Sequence, residues 1–177
     1  MKRSVAVSLV IMGAASLAAC QDETVDSAVY YSVDECVSGQ AYSAEKCESD
    51  YKAAVAMHEE VAPAYRSKEE CEAEFGAEKC AQATEQHASG GFPFLPLLAG
   101  YMIGKQMGGG NAAAVAPQPV YRPTGTNAFV NAGGHEVARS TGPVKLSTRS
   151  PAIKTPAATT RTMARGGFGT RSMSVSA

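Results

Sequence analysis

The sequence predicts an all-α protein: a small disulfide-stapled helical repeat module, then a short Gly-rich helix and a largely disordered C-terminal tail. Three observations carry that expectation. A cysteine-bearing unit occurs twice between residues 31 and 88, both copies open with a Ser-x-x-Glu capping box, and the chain beyond residue 110 shows little periodicity. Composition agrees, since the 177 residues include no Trp, and Ile, Leu and Phe are sparse after the first twenty. A small ordered region with long tails is therefore expected in place of one large core.

The first element is an export signal. Lys2 and Arg3 form a positive n-region, Val5 through Ala15 an apolar h-region, and small residues follow. That is the layout of a signal peptide, too short to span a membrane as a helix of about 20 residues. It ends in Leu17-Ala18-Ala19-Cys20, which resembles the lipobox of bacterial lipoproteins. A thioether-linked diacylglycerol requires a free thiol, and small side chains admit the peptidase to the bond before it. Residues 1–19 are expected to be removed, Cys20 to be lipidated, and residues 20–30 to serve as a lipid-anchored linker. Several acyl chains, at about 0.8 kcal/mol per buried methylene, make such anchoring effectively stable. In a Gram-negative host Gln21, standing where Asp would retain the protein in the inner membrane, favours the outer membrane facing the periplasm; Asp22 weakens that inference slightly.

Four cysteines remain, Cys36, Cys47, Cys71 and Cys80. An even number in an exported chain reads as two disulfides. No CxxC pair occurs, so neither a zinc site nor a redox pair is expected. Ser32-Val33-Asp34-Glu35-Cys36 matches Ser67-Lys68-Glu69-Glu70-Cys71, and Ala44-Glu45-Lys46-Cys47 matches Ala77-Glu78-Lys79-Cys80, with Tyr31 and Tyr65 preceding the two units. In each capping box the serine hydroxyl takes an orphan N–H and the glutamate returns a bond. Gly39 and Gly76 are natural stops. Ser43 caps a longer helix to about Val61, ended by Pro63, and a last helix is expected from Ala77 to about Gln86. The simplest connectivity is within units, Cys36–Cys47 and Cys71–Cys80. The alternative is nested, Cys36–Cys80 with Cys47–Cys71.

Residues 89–110 form the Gly/Met-rich apolar segment. Gly100, Gly104 and Gly108 lie four apart and would share one face of a helix, with Leu97, Leu98, Tyr101 and Met102 as its apolar flank. The stretch is too short to span a membrane.

From residue 111 the chain is rich in Ala, Pro, Thr, Ser and Gly with isolated bases at Arg122, Arg139, Lys145, Arg149, Lys154, Arg161, Arg165 and Arg171, the pattern of a basic low-complexity tail. Charge is divided accordingly. Residues 21–90 hold sixteen acids against five bases, net −11, while residues 91–177 hold only Glu136 against nine bases, net +8. A basic tail outside the cytoplasm suits anionic lipid, wall polymer or the acidic half of the same chain. Nucleic acid is not an expected partner, because Arg165-Gly166-Gly167 is a single copy and the chain is exported.

The run Leu95-Pro96-Leu97-Leu98-Ala99-Gly100-Tyr101-Met102-Ile103-Gly104, then Met107-Gly108-Gly109-Gly110, resembles the YgiB-like family of uncharacterised enterobacterial lipoproteins. Arg165-Gly166-Gly167-Phe168-Gly169, the lipobox, Glu35-Cys36 and Glu70-Cys71-Glu72-Ala73-Glu74-Phe75-Gly76 are similar too. The resemblance spans nearly the whole chain. It implies an envelope lipoprotein and supplies no catalytic residues.

The sequence offers no catalytic constellation, cofactor motif or metal-ligand spacing. His58-Glu59-Glu60-Val61-Ala62 lacks the second histidine of a zinc-protease helix, and His58 reads as a packing or surface residue. His87 is expected at the end of the last helix and His135 in the tail. Glu59-Glu60 and Glu69-Glu70 diverge on a helix and make no carboxylate dyad. The expectation is a non-enzymatic structural or interaction lipoprotein of the envelope. Its rival is an accessory subunit that binds an envelope enzyme or transporter through the Gly-rich helix.

Overall fold

A computed structural model describes residues 23–87, 89–104, 115–158 and 162–163. The predicted signal peptide, Cys20, residues 107–110 and residues 165–169 lie outside them.

The fold is mostly β, which corrects the all-α expectation. Along the chain run β1 (Thr24–Tyr30), α1 (Val33–Ser38), α2 (Ala44–Val61), β2 (Ala64–Tyr65), α3 (Lys68–Phe75), β3 (Cys80–Gln82), β4 (Phe94–Pro96) and β5 (Gly100–Gly104). Then come β6 (Gln118–Tyr121), β7 (Phe129–Asn131), β8 (Glu136–Ala138), β9 (Gly142–Ser147), a 3-10 turn at Pro151–Ile153, and β10 (Thr162–Met163). Six strands form an antiparallel sheet in the order β8-β7-β6-β5-β1-β9, and a small sheet runs β10-β2-β4-β3.

The large sheet curls round its own core. Val25 and Val29 of β1, Met102 of β5, Val120 of β6, Phe129 of β7, Val137 of β8 and Leu146 of β9 meet in one buried cluster. Both edge strands contribute, so the sheet is nearly closed and barrel-like. Ala152 and Ile153 of the 3-10 turn complete that cluster. The turn is fixed from inside, because the buried amides of Gln118 and Asn131 donate to the Ala152 carbonyl at 3.0 and 3.4 Å. Buried side-chain amides need such partners.

The outer face is buried as well. Ala28, Tyr30, Tyr101 and Ile103 pack against Cys36, Cys47 and Ala54. Tyr121 and Val130 pack against Tyr65, Cys71, Phe75, Cys80 and Leu95. The two cysteine units are therefore two caps on one sheet, each with its disulfide in the contact.

The local helix signals are realised. Ser32, Ser43 and Ser67 cap α1, α2 and α3 through bonds from the backbone N–H of Glu35, Lys46 and Glu70. Glu35 returns its bond to the N–H of Tyr31, one residue before the cap. Beyond the helices the sequence reading fails in four places. Residues 20–30, read as a linker, contain β1. The helix expected from Ala77 to about Gln86 is a turn and β3. The expected Gly-rich helix is β4 and β5, and its glycines serve strand contact: a Cβ on Gly100 would stand 2.5 Å from the Tyr30 carbonyl oxygen, and one on Gly104 would collide with Val115. The expected disordered tail supplies β6 to β9, four of the six strands in the sheet that buries the core.

Candidate binding cleft

Tyr31 follows directly on β1 and is 51% exposed. Its ring meets Phe129 edge-on at 5.5 Å. Arg122 follows directly on β6, and its guanidinium lies over the same Phe129 ring at 5.6 Å. Nη1 of Arg122 donates to the Tyr31 hydroxyl at 3.2 Å and Nη2 to Oδ1 of Asn127 at 3.3 Å. Three neutral groups thus hold the cation in place, and among the described residues no carboxylate pairs with it.

The opposite wall comes from the second cysteine unit. After α3 the chain turns through Gly76 (φ +102) and Glu78 (φ +63) to bring Lys79 beside Cys80. The Lys79 carbonyl accepts from the N–H of Leu97 at 2.7 Å, so this basic residue sits against the apolar run that leads into β5. The β6–β7 loop is pinned to α3, since the backbone N–H and Oγ1 of Thr124 both donate to the Glu74 carbonyl, at 2.7 and 2.6 Å.

Between these walls lies a groove of about 510 Å³ bounded by Tyr31, Phe75, Lys79, Leu97, Arg122 and Thr124. Among the described residues it has two cationic side chains on its lining and no acid. A second hollow on the far side of the β6–β7 loop, about 470 Å³, differs in charge: its Arg139 is paired with Glu136 at 2.7 Å. The first groove has the chemistry of a binding site for an anion with an apolar part. Among the described residues its lining holds no nucleophile beside a base.

The residues singled out in the sequence lie elsewhere. Cys36 is joined to Cys47 and Cys71 to Cys80, within each unit. Cys20 is outside the described residues. His58 projects from α2 toward β6, where its Nδ1 lies 3.0 Å from the Tyr121 hydroxyl. Burial, then repulsion from His87, lowers the His58 pKa to about 4, so its ring is neutral at ordinary pH. Burial, and after it Glu59, pushes the Tyr121 hydroxyl well above its usual range. His87 is buried in a loop and ends no helix: its Nδ1 bonds Ser89 at 2.9 Å, while Nε2 has no hydrogen-bond partner among the described residues. Burial lowers its pKa too, with Glu59 opposing. His135 lies in the β7–β8 turn, its N–H donating to Oδ1 of Asn131. Among the described residues no three His, Cys, Asp or Glu side chains are grouped to hold a metal, and no helix is long and apolar enough to cross a membrane.

Arg122 is the residue that sequence reasoning missed. It reads as one isolated base in a tail, and Tyr31 as the residue before a repeat. The available signal is a hairpin: Pro119-Val120-Tyr121 and Phe129-Val130 flank Pro123-Thr124-Gly125, two short apolar runs around turn residues.

Comparison with known proteins gives a consistent result. A family model described as a protein of unknown function (DUF1190) matches residues 24–177. A UPF0441 protein of Pectobacterium carotovorum is 36% identical over 179 residues, covering 92% of this chain and 78% of its own. UPF0441 proteins of Sodalis glossinidius and Photorhabdus laumondii are 33% and 36% identical, covering 94% of this chain and 81% and 79% of theirs. No solved structure matches. The match begins at the first residue of β1 and runs through the predicted tail, so helical caps and sheet are inherited as one unit: the chain belongs to the bacterial DUF1190 family of proteins of unknown function.

Proposed function

We propose that this protein is a non-enzymatic lipoprotein of the bacterial cell envelope, anchored through Cys20 in the outer membrane facing the periplasm and acting as a structural or interaction module. The observation that carries the reading is the pairing of Cys36, Cys47, Cys71 and Cys80 as two buried disulfides in a chain whose first twenty residues read as a signal peptide and lipobox. Structural disulfides persist in oxidising compartments such as the periplasm. The resemblance to YgiB-like lipoproteins belongs to the same reading.

Arg122 and Lys79, which pair with no carboxylate among the described residues, support an interaction role and offer no acid–base or nucleophilic chemistry. β1 begins four residues after Cys20 in sequence, and a strand of its length rises roughly 20 Å, so the cleft at Tyr31 lies that far along the strand from its first residue. An envelope protein, wall polymer or anionic lipid is a partner of suitable charge. The rival accessory-subunit reading loses its docking helix, because residues 100–104 form a strand buried along its whole length.

Acyl labelling of cells tests the anchor. The wild type should carry label and sediment with outer membranes, and Cys20→Ala should carry none and leave the membrane fraction. A labelled, membrane-bound Cys20→Ala protein would overturn the reading.

A further inference from the structure

We propose that the groove between α3 and the β6–β7 loop binds a single-chain anionic amphiphile, its head group on Arg122 and Lys79 and its chain along Leu97 and Phe75. The inference rests on reading the protein as an interaction module and names the ligand class of that module.

Charge is the first argument. Lys79 is one of five bases among sixteen acids in residues 21–90, yet no acid lines the groove among the described residues. Two cations so placed attract an anion, and a planar guanidinium suits a phosphate or carboxylate head. Preorganisation is the second. Tyr31, Asn127 and the Phe129 ring engage Arg122 through two of its five N–H donors, leaving three for a ligand. Fixing that side chain beforehand removes ordering entropy from the binding step.

The apolar half of the ligand follows from exposure. Among the described residues five large apolar side chains are exposed, and two of them, Tyr31 and Leu97 (48%), line this one groove. Such clustering marks a binding surface, where scattered exposure would not. A volume of about 510 Å³ suits a small ligand. The chain's own C-terminal segment has the wrong sign, since residues 159–177 hold Arg161, Arg165 and Arg171 and no acid.

Calorimetric titration of the full-length Cys20→Ala chain with dodecyl phosphate below its micellar concentration tests this. Inorganic phosphate and dodecanol serve as head-only and tail-only probes. Saturable one-to-one binding of dodecyl phosphate is expected, with both partial probes at least roughly tenfold weaker. Arg122→Gln and Lys79→Gln should each weaken it by roughly tenfold, the loss of a charge-assisted bond. Phe92→Ser, which removes an exposed apolar side chain outside the groove, should leave it unchanged. Lys79→Gln keeps the test decisive if Arg122→Gln misfolds, because Lys79 is exposed and makes no ion pair among the described residues. Equal binding of inorganic phosphate, unaltered affinity in the Lys79 variant, or binding of an acidic peptide without dodecyl phosphate would overturn the proposal. None of these results alters acyl labelling at Cys20, so the two readings fail separately.

Discussion

Nη1 of Arg122 donates to the hydroxyl of Tyr31 at 3.2 Å across 91 residues of sequence, tying the end of β6 to the end of β1. Both residues also bear on the Phe129 ring. Removing the hydroxyl should therefore loosen the cation and barely touch the core. Tyr31→Phe is expected to lower dodecyl phosphate affinity a few-fold. It should change stability by less than about 1 kcal/mol, because the bond is exposed. Paired calorimetric and chemical-denaturation measurements check both halves.

Glycine substitution separates the strand from the helix that the sequence suggests. In a helix, Gly100→Ala would stabilise by about 1 kcal/mol. In β5 the new Cβ meets the Tyr30 carbonyl oxygen, and the variant should lose roughly 1–3 kcal/mol. Urea denaturation gives the sign directly.

His58 links stability to pH. Its folded-state pKa, about 4, lies below the ordinary 6.5, so the unfolded chain binds the proton more readily. The contribution is complete above pH 6.5 and is lost as pH falls toward 4, up to about 3 kcal/mol in all. His87 and Glu59 face the same region, and the depressed His87 adds in the same direction. The difference in unfolding free energy between wild type and His58→Gln, taken at pH 7, 5.5 and 4, should shrink toward low pH. A constant difference would contradict the assignment.

Each disulfide closes a short loop, 11 residues for Cys36–Cys47 and 9 for Cys71–Cys80, worth about 3 kcal/mol in the chain-entropy model. Replacing the Cys71 and Cys80 pair with Ala should cost about that much. The exported wild type should show no free thiol on titration under denaturing conditions. Thiols at these four positions would contradict the oxidised assignment.

What the sequence makes legible is local. Ser32, Ser43 and Ser67 announce their helices because a cap needs only a hydroxyl and the next turn. The strands stay hidden for identifiable reasons. From Ser27 to Tyr30 β1 is buried on both faces, so Val29 follows Ala28 and precedes Tyr30 with no exposed polar residue between them to mark an alternation. β6, β7 and β8 are three or four residues long, too short for a period to show. Gly100 and Gly104 stand at helical spacing for a reason that belongs to strand contact. The cleft is hidden for a different reason. Tyr31, Lys79 and Arg122 come from three separate segments: the pairing of β1 with β5 and β5 with β6 brings Tyr31 and Arg122 to one end of the large sheet, and the pairing of β3 with β4 sets Lys79 opposite them.

The intact mass of the protein purified from membranes reads the processing of Cys20 and the state of the other four cysteines together. It should correspond to a chain that begins at Cys20, carries a thioether-linked diacylglycerol there, and is lighter by two hydrogens for each of two disulfides. A chain that retains residues 1–19, or one that begins at an unmodified Cys20, would contradict the lipoprotein reading.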